Sequence, residues 1–304
     1  MYDGAGGSSV TESVSGSFEA HREHVRGVAY RMLGSLSDAE DAVQESWLRV
    51  SRADATGIDN MRAWLTTVVS RICLDMLRTR ASRREEPSET YVPDPVVTAI
   101  ESDSDGPEAQ VVRKDSVSLA LMIVLEHLEP AARVAFVLHD VFDVPFDDIA
   151  PIVGRTTVAT RQLASRARRT IAGRAPTPDA DRRAQRRVVE SFLAAVQRGD
   201  FDALIDVLDP DVVLRADGGR ATGMSRIVRG AAEVAAQARA FSKMNLESAI
   251  VLVNGHVGVV SRLPDGRILS VIGYTVVRGK VAGMDILADP ERLARVDANR
   301  QSRR

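Results

Sequence analysis

A basic stretch without acids lies near the middle of the chain, GRTTVATRQLASRARRTIAGR from Gly154 to Arg174. It holds six arginines and no aspartate or glutamate, whereas the 304-residue chain has a formal net charge of only -2. Guanidinium groups bind phosphates and guanine edges, and DNA would repel a neighbouring carboxylate. The stretch therefore has the composition of a DNA-binding helix, although a solvated basic helix face would look the same.

Helical periodicity divides this stretch into two faces. In a helix from about Thr157 to Ala172, the residues predicted to face the core are Val158, Ala164, Ala167 and Ile171. The candidate DNA-contacting residues are Arg155, Arg161, Gln162, Ser165, Arg166, Arg168 and Arg169. We expect Arg161 and Gln162 to read base edges, because both side chains can do so, and Arg168 and Arg169 to contact phosphate.

A second basic cluster closes the helix that is predicted to start at Asp59 or Asn60. Its candidate DNA-contacting residues are Arg71, Arg78, Arg80, Arg83 and Arg84. The predicted buried stripe of this helix is Met61, Trp64, Leu65, Val68, Ile72 and Met76. Two basic helices on two small domains suggest a two-point grip on a long nucleic-acid site.

Groups for acid–base catalysis are sparse. His256 and Asp285 are candidates in the last third of the chain, but His256 follows the turn at Asn254-Gly255, and the spacing does not bring the two together. We expect no catalysis there, while a small-molecule pocket without chemistry stays open. The single cysteine, Cys73, excludes a disulfide framework and a cysteine-based zinc site, and no cofactor or metal is expected.

Three domains are predicted to position these residues. The predicted boundaries are a flexible tail at 1–16, a helical domain at 17–84, an acidic Pro-rich linker at 85–108, a second helical domain at 109–173, a linker at 174–181 and an α+β domain at 182–304. The acidic linker holds eight acids and no lysine or arginine, so it is expected to be extended. No apolar run reaches the about 20 residues of a membrane span, and the start does not resemble a signal peptide, so we expect a cytoplasmic protein.

Local signals mark the elements. Ser37 and Glu40 form a capping-box pattern, Pro130 suits a first helical turn, and Gly154 separates a short helix from the basic one in a helix-turn-helix layout. The range 223–241, GMSRIVRGAAEVAAQARAF, is interpreted as a helix. Turn signals after it, such as Arg278-Gly279, predict an antiparallel meander.

Over roughly 18–173, the sequence resembles the extracytoplasmic-function (ECF) sigma factors of bacterial RNA polymerase. The matching segments are DAEDAVQESWLRV, AWLTTVVSRICLDMLRTRASRR and FDDIAPIVGRTTVATRQLASRARR, which resemble the clamp-docking helix and the −10-reading segment of region 2 and the −35-reading helix-turn-helix of region 4. The resemblance implies polymerase contacts at Asp38, Glu40, Asp41, Gln44 and Glu45. These acids also suit a helix N-terminus without any partner. The linker would thread near the polymerase active centre, although plain disorder would give the same composition.

The last 120 or so residues resemble a SnoaL-like domain, a cone with a curved antiparallel sheet, and three short motifs sharpen the match to the sigma J type. The motifs are YVPDP from Tyr91, DGGR from Asp217 and DPERL from Asp289. The residues implied in interdomain regulation are Tyr91, Pro93, Asp94, Pro95, Asp217, Gly218, Gly219, Asp289, Pro290 and Glu291. The sequence departs from the family where Arg220 replaces a glycine and Asp289 an asparagine, and a tight turn alone would also explain Gly218 and Gly219.

Together these patterns predict a sigma factor that directs core polymerase to promoters and is regulated in cis by its C-terminal domain. The implied partners are core RNA polymerase, through its beta-prime clamp and beta flap, and promoter DNA, with no membrane, a monomer when free, and room for a small-molecule ligand of the C-terminal domain. A stand-alone helix-turn-helix regulator with a ligand-sensing or enzymatic C-terminal domain is the alternative. The first helical domain favours the sigma factor, because a simple repressor does not need it.

Overall fold

The computed structural model describes residues 7–53, 58–83, 88–100, 117–174, 177–219, 223, 225–242, 244 and 246–301. The chain divides into two compact units. Unit 1 is Met1–Glu86 with Leu128–Arg169, and unit 2 is Pro87–His127 with Thr170–Arg304. Within the described ranges, none of the helices combines the length and apolarity that crossing a bilayer requires.

The helices are, in chain order, α1 Gly7–Leu33, α2 Leu36–Val50, α3 Met61–Ser82, α4 Leu119–Glu126, α5 Pro130–Phe136, α6 Phe146–Val153, α7 Thr157–Arg174, α8 Arg182–Arg198, α9 Phe201–Val207, α10 Ala231–Phe241 and α11 Pro290–Gln301. A π-helical turn, Val137–Val141, follows α5 directly. The strands are β1 Val97–Thr98, β2 Leu208–Asp217, β3 Arg226–Arg229, β4 Glu247–Val253, β5 His256–Arg262, β6 Ile268–Val277 and β7 Lys280–Leu287. Helical domains followed by an α+β domain confirm the predicted fold class.

Unit 1 is helical. α1 packs against α2 and α3, and α3 also packs against α5 and α6. Two helix starts have a local chemical cause: Asn60 caps α3 by accepting a hydrogen bond from the amide of Ala63 at 3.0 Å, and Pro130 occupies the first turn of α5, as predicted. The core residues Val28, Met32 and Leu65 are fully buried.

Unit 2 is built on one sheet, whose described strands run in the order β1-β4-β5-β6-β7-β2-β3. Only β2 and β7 pair in parallel among these strands; the other neighbours are antiparallel. One face packs against α8, α9 and α10 through residues such as Phe192 and Leu204. The other face is covered by apolar residues of the linker, α4 and α11: Val92, Val97, Leu119, Leu293 and Val296. The sheet therefore has two covered faces, and the linker covers part of one of them.

Several local predictions need correction. α1 already includes residues 7–16 of the predicted tail. The cap of α2 is Ser35 rather than Ser37, because the Ser35 hydroxyl accepts from the amide of Asp38 at 3.3 Å. Part of the range interpreted as one helix, 223–241, forms strand β3 before α10 begins, because it pairs with β2.

The predicted buried faces of two basic helices were displaced. On α3, Leu65 and Ile72 are buried as predicted, but Met61, Trp64, Val68 and Met76 are only half-buried, while Val69, Cys73 and Leu77 fill the core. On α7, Ala164 and Ala167 are buried with Thr160, Ile171 is half-buried, and Val158 is exposed. In both helices the sequence contains apolar residues on two sides, so periodicity alone does not fix which side is covered.

Candidate nucleic-acid interface and linker clamp

The basic stretch forms the second helix of a helix-turn-helix. α6 ends at Gly154, whose φ of 68° is in the left-handed region that glycine adopts without strain. The hydroxyl of Thr156 then accepts from the amide of Ala159 at 3.2 Å and so caps α7. The hydroxyl of Thr157 also donates to the Asp147 carboxylate at 2.8 Å, which fastens the first turn of α7 to α6. This local chemistry fixes the direction in which α7 leaves the turn.

The predicted DNA-contacting residues on and before α7 are all exposed, namely Arg155, Arg161, Gln162, Ser165, Arg166, Arg168 and Arg169. They surround the buried stripe of Thr160, Ala164 and Ala167 on its open sides. The structure therefore offers a continuous basic surface along α7. What these residues bind stays a prediction.

Two of these arginines are held by the π-helical turn and α6. The guanidinium carbon of Arg161 lies 5.8 Å from the ring centre of Phe146, which stacks on the His139 ring at 3.8 Å. The Nε of Arg168 donates to the Asp140 carboxylate at 2.6 Å. Because Arg161 and Arg168 are seven residues apart, they lie on one side of α7, next to the supporting residues. These supports were not found in the sequence, since no spacing rule links residues 139, 140 and 146 to α7.

The basic cluster of α3 is less uniform. Arg71, Arg78 and Arg83 are exposed, with Arg78 3.8 Å from Asp75, and Arg84 lies outside the described residues. Arg80 does not face outward as predicted: it donates to the Leu33 carbonyl at 3.2 Å and to the Asp38 carboxylate. Arg80 therefore ties α3 to α1 and α2, and the others carry the accessible charge of this helix.

The five predicted polymerase-contacting residues lie on α2. Asp41 and Gln44 are exposed, whereas Asp38 pairs with Arg80, Glu40 with Arg22 and Glu45 with Arg49. Glu40 thus binds a neighbouring helix instead of completing a capping box. Leu48, which the sequence did not single out, is 45% exposed on the same helix.

The three motifs that the resemblance links to interdomain regulation meet at one guanidinium group in unit 2. Arg292 on α11 donates from Nε to Asp94 at 2.7 Å and from Nη1 to Asp217 at 2.7 Å, and its Nη2 donates to the Val92 carbonyl. The Tyr91 ring covers it at 5.1 Å. We call Tyr91, Val92, Asp94, Asp217 and Arg292 the linker clamp. Arg292 stands within the DPERL motif, but its neighbours were singled out and it was not.

The two carboxylates of the clamp are buried and accept hydrogen bonds. Asp94 is 4% exposed and Asp217 is 7% exposed. Asp217 also accepts from the amide of Val92 at 3.1 Å and from that of Gly219 at 3.1 Å. Burial lowers the pKa of Arg292, but the carboxylate of Asp94, with Tyr91 and Asp217, raises that pKa above its ordinary value. The arginine is therefore held charged between two carboxylates.

Other residues of the DGGR and DPERL motifs support the clamp. Asp289 caps α11, since its carboxylate accepts from the amides of Glu291 at 2.9 Å and Arg292 at 3.4 Å. This cap explains why aspartate can stand in place of asparagine. Gly219 has a φ of 70°, and a Cβ there would collide with the Asp289 carboxylate. Gly218 is buried, while Pro290 and Glu291 are exposed at the start of α11.

The rest of the linker is also bound to the sheet. Pro93 and Pro95 are buried. The backbone amide of Asn254 donates to the Val96 carbonyl at 2.9 Å, and its side-chain Oδ1 accepts from the backbone amide of Val96 at 2.9 Å. Directly after Val96, β1 pairs with β4. Part of the predicted linker is thus a strand and not merely an extended chain. Asn254 was read as a turn residue only, because a sequence gives no sign of a partner 158 residues away.

The candidate catalytic residues His256 and Asp285 have different charged neighbours. Asp285 pairs with Arg215 at 2.8 Å, and Arg215 donates to the Glu89 carbonyl of the linker at 2.9 Å. Burial raises the pKa of the Asp285 carboxyl, which Arg215 opposes, while burial and Arg182 lower the pKa of His256. Asp285 thus belongs to the linker contact. In the described part of the chain, no group of three or more potential ligands could hold a metal ion.

Comparisons with known proteins identify the family of each part of the chain. The model of Sigma-70 region 2 matches residues 17–83, that of Sigma-70 region 4 matches 118–171, and that of the SnoaL-like domain matches 189–287. The ECF RNA polymerase sigma factor SigJ of Mycobacterium tuberculosis is 42% identical over 288 residues, 90% of this chain and 91% of the relative. The probable sigma factor SigI of the same species is 39% identical over 209 residues, 68% of this chain and 70% of the relative. The crystal structure of SigJ covers 92% of this chain and 98% of its own, with a TM-score of 0.70 at 38% identity.

Proposed function

Given that the chain belongs to the ECF RNA polymerase sigma factors and carries a C-terminal SnoaL-like domain, we propose that this domain regulates the sigma regions in cis by holding the linker between them. A sigma factor directs core polymerase to promoters and starts transcription. The regulatory step is the binding and release of the segment that joins region 2 to region 4.

One observation carries the proposal: Arg292 binds Asp94 of the linker and Asp217 of the sheet at the same time. A side chain from the last helix thereby closes on a segment almost 200 residues earlier in the chain. Such a contact within one chain acts at an effective concentration on the order of millimolar, so a modest free energy is enough to shift the population of the docked state.

The direction of regulation follows from geometry. The family resemblance implies that the linker threads into the polymerase. A linker that is paired with β4 and bound by the clamp cannot be extended through another protein at the same time. We therefore infer that docking restrains the sigma factor and that release activates it.

The proposal also assigns the binding surfaces. α7 reads the −35 element with its exposed arginines, and Arg71 and Arg78 of α3 contact the −10 region. Asp41, Gln44 and Leu48 are all exposed on α2 and favour it as the surface for the beta-prime clamp, because interfaces combine apolar and polar groups. Region 4 binds the beta flap. The protein then works with core polymerase in the cytoplasm.

No catalysis is assigned to the SnoaL-like domain. The observation that supports this is the use of Asp285: its carboxylate is bound to Arg215, which also holds the linker. A general base needs a reactive partner within hydrogen-bond reach, and a fold that hosts enzymes elsewhere does not imply one here.

Run-off transcription with core polymerase, on a promoter panel that includes the region upstream of the protein's own gene, tests the proposal. The wild type is compared with Asp94→Asn, which weakens the clamp without removing a side chain, and with Asp265→Asn, which weakens the exposed pair of Asp265 and Arg267. Asp94→Asn should raise transcription several-fold, and Asp265→Asn should leave it unchanged. Circular dichroism shows that each variant is folded.

Chains ending near Ala288 and near Ala175 extend the test, because the first lacks α11 and the second lacks the whole SnoaL-like domain. Equal activity of the wild type, Asp94→Asn and both shortened chains would refute cis regulation. The sigma assignment has its own control: the protein alone should bind promoter duplex weakly, and core enzyme should be required for open complexes. A tight footprint by the protein alone, unchanged by core enzyme, would contradict it.

A further inference from the structure

Val158 occupies an unexpected place on the basic helix. It is 64% exposed in the first turn of α7, although its apolar side chain suggested a core position. The first turn is fixed by the Thr156 cap and by the bond from Thr157 to Asp147, so the position of Val158 is set by its neighbours on both sides. The side chain is therefore presented to solvent at a defined place.

Val158 lies on the side of α7 that faces away from the core of unit 1, at the N-terminal end of the helix. Gln162, four residues on, and Ser165, seven residues on, share a face with Val158 because of the helical repeat. Both are exposed, and the buried residues Thr160, Ala164 and Ala167 lie on the opposite side. Val158, Gln162 and Ser165 thus form a row that points away from the core of unit 1. Val158 is the first residue of this row and its apolar member.

The surroundings select one kind of occupant. The helix that carries Val158 is basic and contains no acid of its own, which suits a polyanion. Within DNA, phosphates and base edges are polar, and the C5-methyl group of thymine is the apolar group that the major groove presents. In helix-turn-helix proteins the first residues of the second helix contact base edges.

From these observations we propose that Val158 reads a thymine methyl group in the −35 element and so contributes to promoter specificity. This inference rests on the proposed binding of promoter DNA by α7 and adds an apolar contact to its polar ones. Arg161 and Gln162 would recognise neighbouring bases by hydrogen bonds, whereas Val158 would distinguish thymine from cytosine at one position by contact with the methyl group.

Replacing thymine by deoxyuridine removes only that methyl group and so tests the inference directly. A −35 element is first obtained by in vitro selection with core polymerase and the full-length chain. Each thymine is then replaced in turn, and the affinity of holoenzyme is measured for the wild type and for Val158→Ala. Because Val158 is exposed and alanine favours helices, the variant should fold.

At one thymine, we expect the replacement to weaken binding by the wild type about fourfold, as the loss of one buried methyl group does, and to leave Val158→Ala unaffected. Gln162→Ala is the matched control from the same face: it should lower affinity but keep the fourfold difference between thymine and deoxyuridine.

Equal effects of deoxyuridine on the wild type and Val158→Ala at every thymine, or a selected element without thymine, would overturn the inference while leaving promoter binding intact. If the holoenzyme selects no sequence at all, the proposed reading of the −35 element fails together with it. The two failures are therefore distinguishable.

Discussion

Arginine side chains have two different environments in this molecule, one at Arg292 and the other along α7. Arg292 is largely buried, its Nε, Nη1 and Nη2 each donate within unit 2, and it binds two carboxylates. Arg161 and Arg169 are exposed on α7, where the guanidinium group of Arg161 lies over the Phe146 ring. A guanidinium surrounded by acceptors holds a protein together, whereas one presented at a surface can bind another molecule. Both stand in helices, and the difference arises from the two buried carboxylates that the fold brings to Arg292, whereas Asp140 pairs with exposed Arg168 of α7.

The largest expected effect comes from removing the clamp arginine. Arg292→Ala leaves Asp94 and Asp217 buried without their cation and should destabilise the docked linker by about 3–5 kcal/mol. The amides of Val92 and Val96 should then exchange hydrogen for deuterium over a hundredfold faster, by about that free energy. Mass spectrometry of the linker peptide measures this.

Arg267→Ala is the control for Arg292→Ala, because it breaks an exposed pair with Asp265 at 2.7 Å in the same unit. Its effect on hydrogen exchange should be much smaller, because an exposed ion pair is screened by solvent. Similar losses in both variants would show that the clamp is no stronger than a surface ion pair and would remove the contrast between Arg292 and the arginines of α7.

A backbone change next to the clamp should have the second-largest effect. Gly219→Ala places a Cβ against the Asp289 carboxylate at a φ of 70° and should cost about 3 kcal/mol from strain and collision together. Gly223→Ala has a similar φ of 63° with open space around it, so it should cost only about 1 kcal/mol. Thermal midpoints of the two variants separate collision from strain, and equal midpoints would contradict the close approach of the two motifs.

On α7 the expected losses appear in DNA binding and not in stability. Arg161→Ala should cost holoenzyme on the order of 1–3 kcal/mol at its preferred −35 element and relax specificity there. Arg169→Ala should weaken all sequences about equally and lower the salt slope of binding by roughly one. Titrations of matched and scrambled elements at several salt concentrations measure both. Equal loss on both elements for Arg161→Ala would reject base reading by this residue.

The smallest expected effect is a pH dependence of stability that arises from half-buried His256. Burial and Arg182 lower the pKa of His256, so the folded state binds a proton there less readily than the unfolded state. Stability should therefore fall as the pH drops below the ordinary histidine value of 6.5. His256→Gln should flatten this part of the curve of thermal midpoint against pH, and exposed His127→Gln should not. Parallel curves for the wild type and His256→Gln would rule out the effect.

Sequence patterns predicted the elements better than their partners. Turns such as Asn254-Gly255 and Arg278-Gly279 join strands as predicted, because their cause is local. The periodicity of α7 predicts a buried Val158, which is exposed, and the DPERL motif does not by itself indicate that Arg292 binds two carboxylates. Both cases concern which side chain meets which distant surface. That information depends on contacts such as the one between Arg292 and Asp94, 198 residues apart, which no periodicity encodes.

The order in which the chain is synthesised leaves the linker segment of unit 2 without its partner for some time. Its linker segment leaves the ribosome before the sheet that it docks on, because β1 precedes its partner β4 by roughly 150 residues, or about 10–30 s of translation. During that interval Val92, Val97 and Leu119 have no sheet to cover. The acids around them, Glu89 and Asp94 among others, keep the nascent segment charged and hydrated. The Asp94 carboxylate, which binds Arg292 in the folded chain, therefore disfavours aggregation of the nascent segment before the sheet forms.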